Sequence, residues 1–136
     1  MTSTITYKGD LRTSMRHLAA GCEIMTDAPV DNHGKGEAFS PTDLVATALG
    51  SCMLTIMGIK VRDMGKDMTG STVEITKHMA SDPRRIAAIE VHIRMAGDWT
   101  PKEQDLLERA ARNCPVALSL HPDLSQQVRF EWPGEH

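Results

Sequence analysis

A chain of 136 residues, 40% hydrophobic and 24% charged, is long enough to bury a core and has the composition of an ordinary globular protein. Its formal net charge of −3, with basic residues scattered singly or in pairs, gives no electrostatic footprint for nucleic acid. Three widely spaced cysteines do not read as a secreted disulfide framework. The first residues lack the apolar run of a signal peptide, so a cytoplasmic location is the expectation.

Ile5 and Tyr7 alternate with polar neighbours, Lys8-Gly9-Asp10 marks a turn, and Arg12 to Leu18 follows as a second strand. Gly21 separates that strand from a third, Cys22 to Thr26. Asp27 to Phe39 contains Pro29, Asp31, Asn32, Gly34 and Gly36 and reads as an exposed loop. Ser40-Pro41-Thr42-Asp43 then has the grammar of a helix start: a capping serine, a proline suited to the first turn, and a carboxylate facing free N–H groups. Leu44, Val45, Ala48, Leu49, Cys52, Met53, Ile56 and Met57 recur behind it at helical spacing, and the helix is expected to end near Gly65. Its uncharged stretch, Leu44 to Ile59, is shorter than a bilayer requires and carries Thr47, Gly50, Ser51 and Thr55. A buried helix is expected there, with no membrane partner.

Val73 and Ile75 alternate with polar residues, Asp82-Pro83 makes a turn, and Ile89, Val91, Ile93 and Met95 alternate in turn, which suggests a hairpin. Thr100-Pro101-Lys102-Glu103 repeats the capping grammar for a helix through Arg112, with Leu106, Leu107 and Ala110 inward. Asn113-Cys114-Pro115 breaks that helix and begins a shorter one ending near His121-Pro122. Val128, Phe130 and Trp132 alternate in a last strand. The order is that of an α+β protein with one domain over residues 1–136. Nine methionines stand against few aromatics, and methionine at helical spacing is read as flexible core filler.

Cys52, on an apolar helix face, is by itself more often a small buried hydrophobe than a reactive group. Cys114 lies where a helix begins, and N–H groups there favour thiolate over thiol; a cysteine filling a tight junction is the competing reading. Cys22 has no assigned role. The histidines His17, His33, His78, His92 and His121 stand far apart, and no close Cys or His pair supports zinc. No G-x-S-x-G elbow supports a serine hydrolase.

The segment from Ser40-Pro41-Thr42-Asp43 through Gly50-Ser51-Cys52 resembles the first-cysteine helix of the OsmC/Ohr family. Asn113-Cys114-Pro115-Val116-Ala117-Leu118-Ser119-Leu120 resembles the family's second-cysteine segment, and the element order fits over nearly the whole chain. The resemblance implies antiparallel sheets packed around a long central helix in an intertwined homodimer. It also implies a thiol-dependent peroxidase with no metal, flavin or haem cofactor. Cys52 would attack an organic hydroperoxide and Cys114 would resolve the sulfenic acid as a disulfide, with an external dithiol as reductant. An apolar pocket would suit organic hydroperoxides.

Burial disfavours a thiolate, so a cation must offset it. The family's arginine comes from the strands before the glycine turn, where Arg12 matches and Arg16 is the nearby competitor. The family glutamate that orients this arginine follows the helix-opening proline, where this chain has Thr42; Asp43 and Glu37 are the candidates to replace it. That departure favours an alternative: a dimeric small-ligand-binding or redox-sensing protein on the same fold, without significant peroxidase activity.

Overall fold

In the computed structural model, which describes residues 1–134, the chain divides into two units, Met1–Val45 and Ala46–His136. The first holds an antiparallel sheet in the order β1-β2-β3, with β1 at Ser3–Gly9, β2 at Arg12–His17 and β3 at Glu23–Asp27. The turn between β1 and β2 places Gly9, Asp10 and Leu11 all at positive φ, which reverses the chain within two residues. Register then sets neighbours across the sheet: Arg12 opposes Asp27, Met15 opposes Ile24, and Arg16 opposes Glu23.

The segment after β3 is exposed, as its composition suggests, but it is not irregular. Val30–Asn32 form a single 3-10 turn, and the N–H groups of Gly34 and Gly36 donate to Pro29 and Ala28 carbonyls at 3.0 and 3.2 Å. Gly34 is required there. A Cβ would lie 1.8 Å from the Ala28 carbonyl oxygen.

Helix α1 spans Pro41–Asp63. At its start, Ser40 Oγ accepts the Asp43 N–H and Asp43 Oδ2 accepts the Ser40 N–H, both at 3.0 Å, closing the expected capping box. Its 23 residues would suffice by length and composition to cross a membrane, yet one stripe is buried in the second unit's core. That stripe is Ala46, Leu49, Gly50, Met53, Met57 and Val61. It is rotated from the expected one: Val45 is exposed, while Cys52 and Ile56 lie half-buried at its margin.

The second unit packs this stripe against a sheet of order β4-β5-β6, at Thr72–Ala80, Arg85–Arg94 and Ser125–Glu131. β4 and β5 form the expected antiparallel hairpin. β6 departs from the antiparallel expectation and runs parallel to β5. The physical reason is the connection: helices α2 (Pro101–Arg112) and α3 (Pro115–Ser119) carry the chain back before β6 begins. Ile89, Val91 and Ile93 of β5 are buried with Leu49, Met53 and Met57, and Leu107 and Ala111 of α2 complete the core. Leu106, expected inward, is exposed, and Ala111 takes the buried place assigned to Ala110.

Gly50 sits where α1 crosses β4. A Cβ there would lie 2.8 Å from Ile75 Cδ1 and 2.9 Å from Val73 Cγ1, so the absent side chain allows the helix to approach the strand.

Candidate active site

Cys52 and Cys114 are both in the second unit, and the fold brings their thiols together. Cys52 projects half-buried from the margin of the α1 stripe and packs against the apolar core. Cys114 follows α2 and caps α3; its Sγ accepts the Ala117 N–H at 3.4 Å. Pro115 in the first turn gives α3 its start, and the preceding helix stops because its last N–H groups close back on Ala110 and Ala111. Cys114 is fully buried, and its thiol interacts electrostatically with the neighbouring Cys52.

The sequence alone placed Cys114 where a helix start would favour its thiolate. Burial overturns that expectation. Loss of water pushes the Cys114 thiol up, and the neighbouring Cys52 adds to the rise; the N–H groups of Ala117 and Val116 pull the other way without reversing it. Cys114 is therefore a protonated thiol at neutral pH, held beside a less buried partner. Cys22 is exposed, and all three cysteines are free thiols.

The first unit contains the expected arginine. Arg12 Nε and Nη2 donate to Asp27 Oδ1 and Oδ2 at 2.7 and 2.8 Å, a two-pronged pair across the β2–β3 register. Nη2 also donates to Glu37 Oε2 at 3.1 Å, and the Glu37 N–H donates to Asp27 Oδ2 at 3.1 Å. The Asp27 side chain is fully buried, Arg12 is 23% exposed and Glu37 is 68% exposed. Of the two residues proposed to replace the family glutamate, Glu37 contacts Arg12 and Asp43 serves the helix cap. Arg16 lies 4.0 Å from Glu23, with both side chains more than half exposed.

Asp27 was missed by sequence reading because it was assigned to the loop. The run Ile24-Met25-Thr26-Asp27 does not alternate, so no local pattern extends β3 to Asp27, and only register reveals the arginine opposite. The Arg12 guanidinium holds the Asp27 carboxyl below its ordinary 3.8, against the opposing effect of burial, and both carboxylates hold Arg12 above its own usual value. A folded-state value below the unfolded one means the unfolded chain binds more protons in that range. The pair's contribution to stability is therefore complete above 3.8 and lost as pH falls through the lower folded value. Urea unfolding of wild type and Asp27→Asn should differ at neutral pH, begin to approach each other below 3.8, and converge only once pH has fallen through the lower folded-state value.

Among the described residues, no group of three or more His, Cys, Asp or Glu side chains is arranged to hold a metal ion. The outer face of the second sheet instead carries ion pairs, with Arg94 Nε 2.9 Å from Glu131 Oε2 and Arg94 also meeting Glu74, and His92 Nε2 lies 3.0 Å from Glu131 Oε2 beside them.

The family model for OsmC-like protein matches residues 34–128. The chain belongs to the OsmC-like family. Among solved structures, this OsmC-like chain is 56% identical to a protein of Psychrobacter arcticus 273-4 named for an osmotic stress induced and detoxification response, covering 96% of both chains with a TM-score of 0.94. An organic hydroperoxide resistance protein OsmC from Legionella pneumophila shares the fold at 12% identity, TM-score 0.75, over 96% of this chain and 97% of that one. Another organic hydroperoxide resistance protein, from Elizabethkingia anophelis, superposes with TM-score 0.74 at 16% identity over 96% of both chains. Curated proteins give no match. The family and the α+β OsmC fold are thus established for this chain.

Proposed function

We propose that the protein is a thiol-dependent peroxidase that reduces organic hydroperoxides. The neighbouring Cys52–Cys114 pair carries this reading: two cysteines distant in sequence, one half-buried and one fully buried and protonated, meet at one apolar core. The Cys52 thiolate attacks the distal peroxide oxygen; the O–O bond breaks, the alkoxide leaves and takes a proton, and Cys52 becomes a sulfenic acid. Cys114 then attacks the Cys52 sulfur. Its proton leaves with the displaced hydroxide as water, and a Cys52–Cys114 disulfide remains. An external dithiol restores both thiols by exchange and is itself oxidised to a disulfide. Arg12 supplies the cation that favours the Cys52 thiolate, a role carried over from the family resemblance.

The test is the intact mass of the reduced protein after one equivalent of cumene hydroperoxide. Rapid loss of two hydrogens supports the peroxidase. An unchanged mass supports the second reading, a ligand-binding or redox-sensing protein, which the presence of Thr42 in place of the family glutamate favours.

The working unit is a homodimer. A single chain leaves Ile5, Tyr7 and Ile24 of the first sheet 64%, 64% and 52% exposed, and a contiguous apolar sheet face is an interaction surface rather than ordinary solvent-facing structure. A groove beside α1, lined by Thr47, Ser51 and Leu54 with Val73 and Ile75, offers apolar surface in the second unit as well. Sedimentation should give twice the chain mass at micromolar concentration; a monomer would remove this part of the proposal.

A further inference from the structure

We infer that Asp27 is the residue that positions Arg12, filling from the end of β3 the part that the family glutamate would play from the start of the helix. This inference rests on the peroxidase reading. Its own support is the geometry of the first unit. The β2–β3 register sets Arg12 directly opposite Asp27, and both carboxylate oxygens engage the guanidinium along its Nε–Nη2 edge. A two-pronged contact fixes the plane of the guanidinium as well as its position, and it directs the opposite edge, Nη1, away from Asp27.

Asp27 is itself held. Its N–H donates to the Phe39 carbonyl at 3.1 Å, and Oδ2 accepts the Glu37 N–H at 3.1 Å. It is fully buried, so it has no solvent-facing alternative to the arginine. Glu37 differs on each count: it gives one oxygen to Nη2 at 3.1 Å, and its side chain is 68% exposed. The remaining nearby charges are Lys35, which faces Asp27, and Asp10, whose Oδ2 lies 3.8 Å from Lys35 Nζ.

Charge and orientation make opposite predictions for Asp27. If the carboxylate mattered only as a negative charge, removing it would free more of the Arg12 charge to stabilise a thiolate, and Asp27→Asn would be faster than wild type. If it matters by orienting the guanidinium, the variant keeps the cation, loses its aim, and is slower. The two carboxylates already outnumber the single guanidinium, so orientation is the effect Asp27 can supply.

The experiment is cumene hydroperoxide consumption with dithiothreitol as reductant, across pH, on full-length variants whose fold is checked by circular dichroism. Asp27→Asn should lose roughly tenfold to a hundredfold in kcat, the scale of a misplaced catalytic group, with little change in KM. That loss should persist at alkaline pH, because raising pH restores ionisation but not orientation. Glu37→Gln should stay within about threefold of wild type, as a single exposed contact implies. The double variant Arg12→Ala with Asp27→Asn should be no slower than Arg12→Ala alone, since Asp27 acts through Arg12. Asp27→Glu keeps the charge and shifts the carboxylate by one methylene; it should also be slow, and it serves should Asp27→Asn fail to fold. A slow Arg12→Ala beside an unaffected or faster Asp27→Asn or Asp27→Glu overturns the inference and leaves the peroxidase reading standing. An equal further loss from Asp27→Asn in the Arg12→Ala background also overturns it, as a merely structural role. An active, unaffected Arg12→Ala removes the arginine from the mechanism, and this inference with it.

Discussion

Cys52→Ser will consume no hydroperoxide above background, a loss of about a thousandfold or more, as expected when the attacking atom itself is removed. A serine hydroxyl in the same place is neutral and weakly nucleophilic at neutral pH, and the neighbouring Cys114, buried and protonated, is a poor replacement as first attacker. Cys114→Ser should behave differently. It leaves Cys52 in place, so one turnover should proceed and stop at the sulfenic acid, which a dimedone-type probe traps. Burial and the protonated state of Cys114 lead to this division of roles: the thiol that keeps its proton is the poorer first attacker and the better-placed second one. Wild-type protein treated with peroxide should carry label on Cys52 when trapping competes with disulfide formation. Label on Cys114 in place of Cys52 would reverse the assignment.

On the role proposed for Arg12, the second large effect is expected from Arg12→Ala, which should slow peroxide reduction roughly a hundredfold near neutral pH, the scale of losing one electrostatic stabiliser. The sign follows from ionisation. A cation favours the thiolate, so its removal lowers the reactive fraction at neutral pH, and raising the pH should restore part of the rate. Arg12→Lys should rescue only in part, because an ammonium provides charge but cannot reproduce the planar grip on Asp27. Arg16→Ala is the control. Its side chain is 56% exposed and stands 4.0 Å from an equally exposed Glu23, so its loss should change little. A crippled Arg16→Ala with an active Arg12→Ala would transfer the role to Arg16.

The helix grammar and the strand alternation were legible in the sequence because both are local. Ser40 and Thr100 cap their helices where the pattern placed them, and the hairpin of β4 and β5 follows from two alternating runs around Asp82-Pro83. The two cysteine segments were legible as a family resemblance, since each is a short run of contiguous residues. Other features were outside the reach of local pattern. The direction of β6 depends on how two helices return the chain. The buried stripe of α1 is rotated because Gly50, which carries no hydrophobic signal, faces β4 at close range.

The sequence by itself determined the elements, their order and the chemical types available: two candidate thiols, a candidate arginine and a missing glutamate. Tertiary structure alone decided how those groups are tuned and paired. Cys114 stands at a helix start, which would lower its thiol, but burial outweighs the N–H contacts, and burial is a property of everything packed around it. Asp27 looked like the first residue of a loop. It became the buried partner of Arg12 because strand register, fixed only when β2 and β3 pair, sets the two residues opposite each other. Desolvation and register are both non-local, so neither can be read from neighbouring residues in the chain.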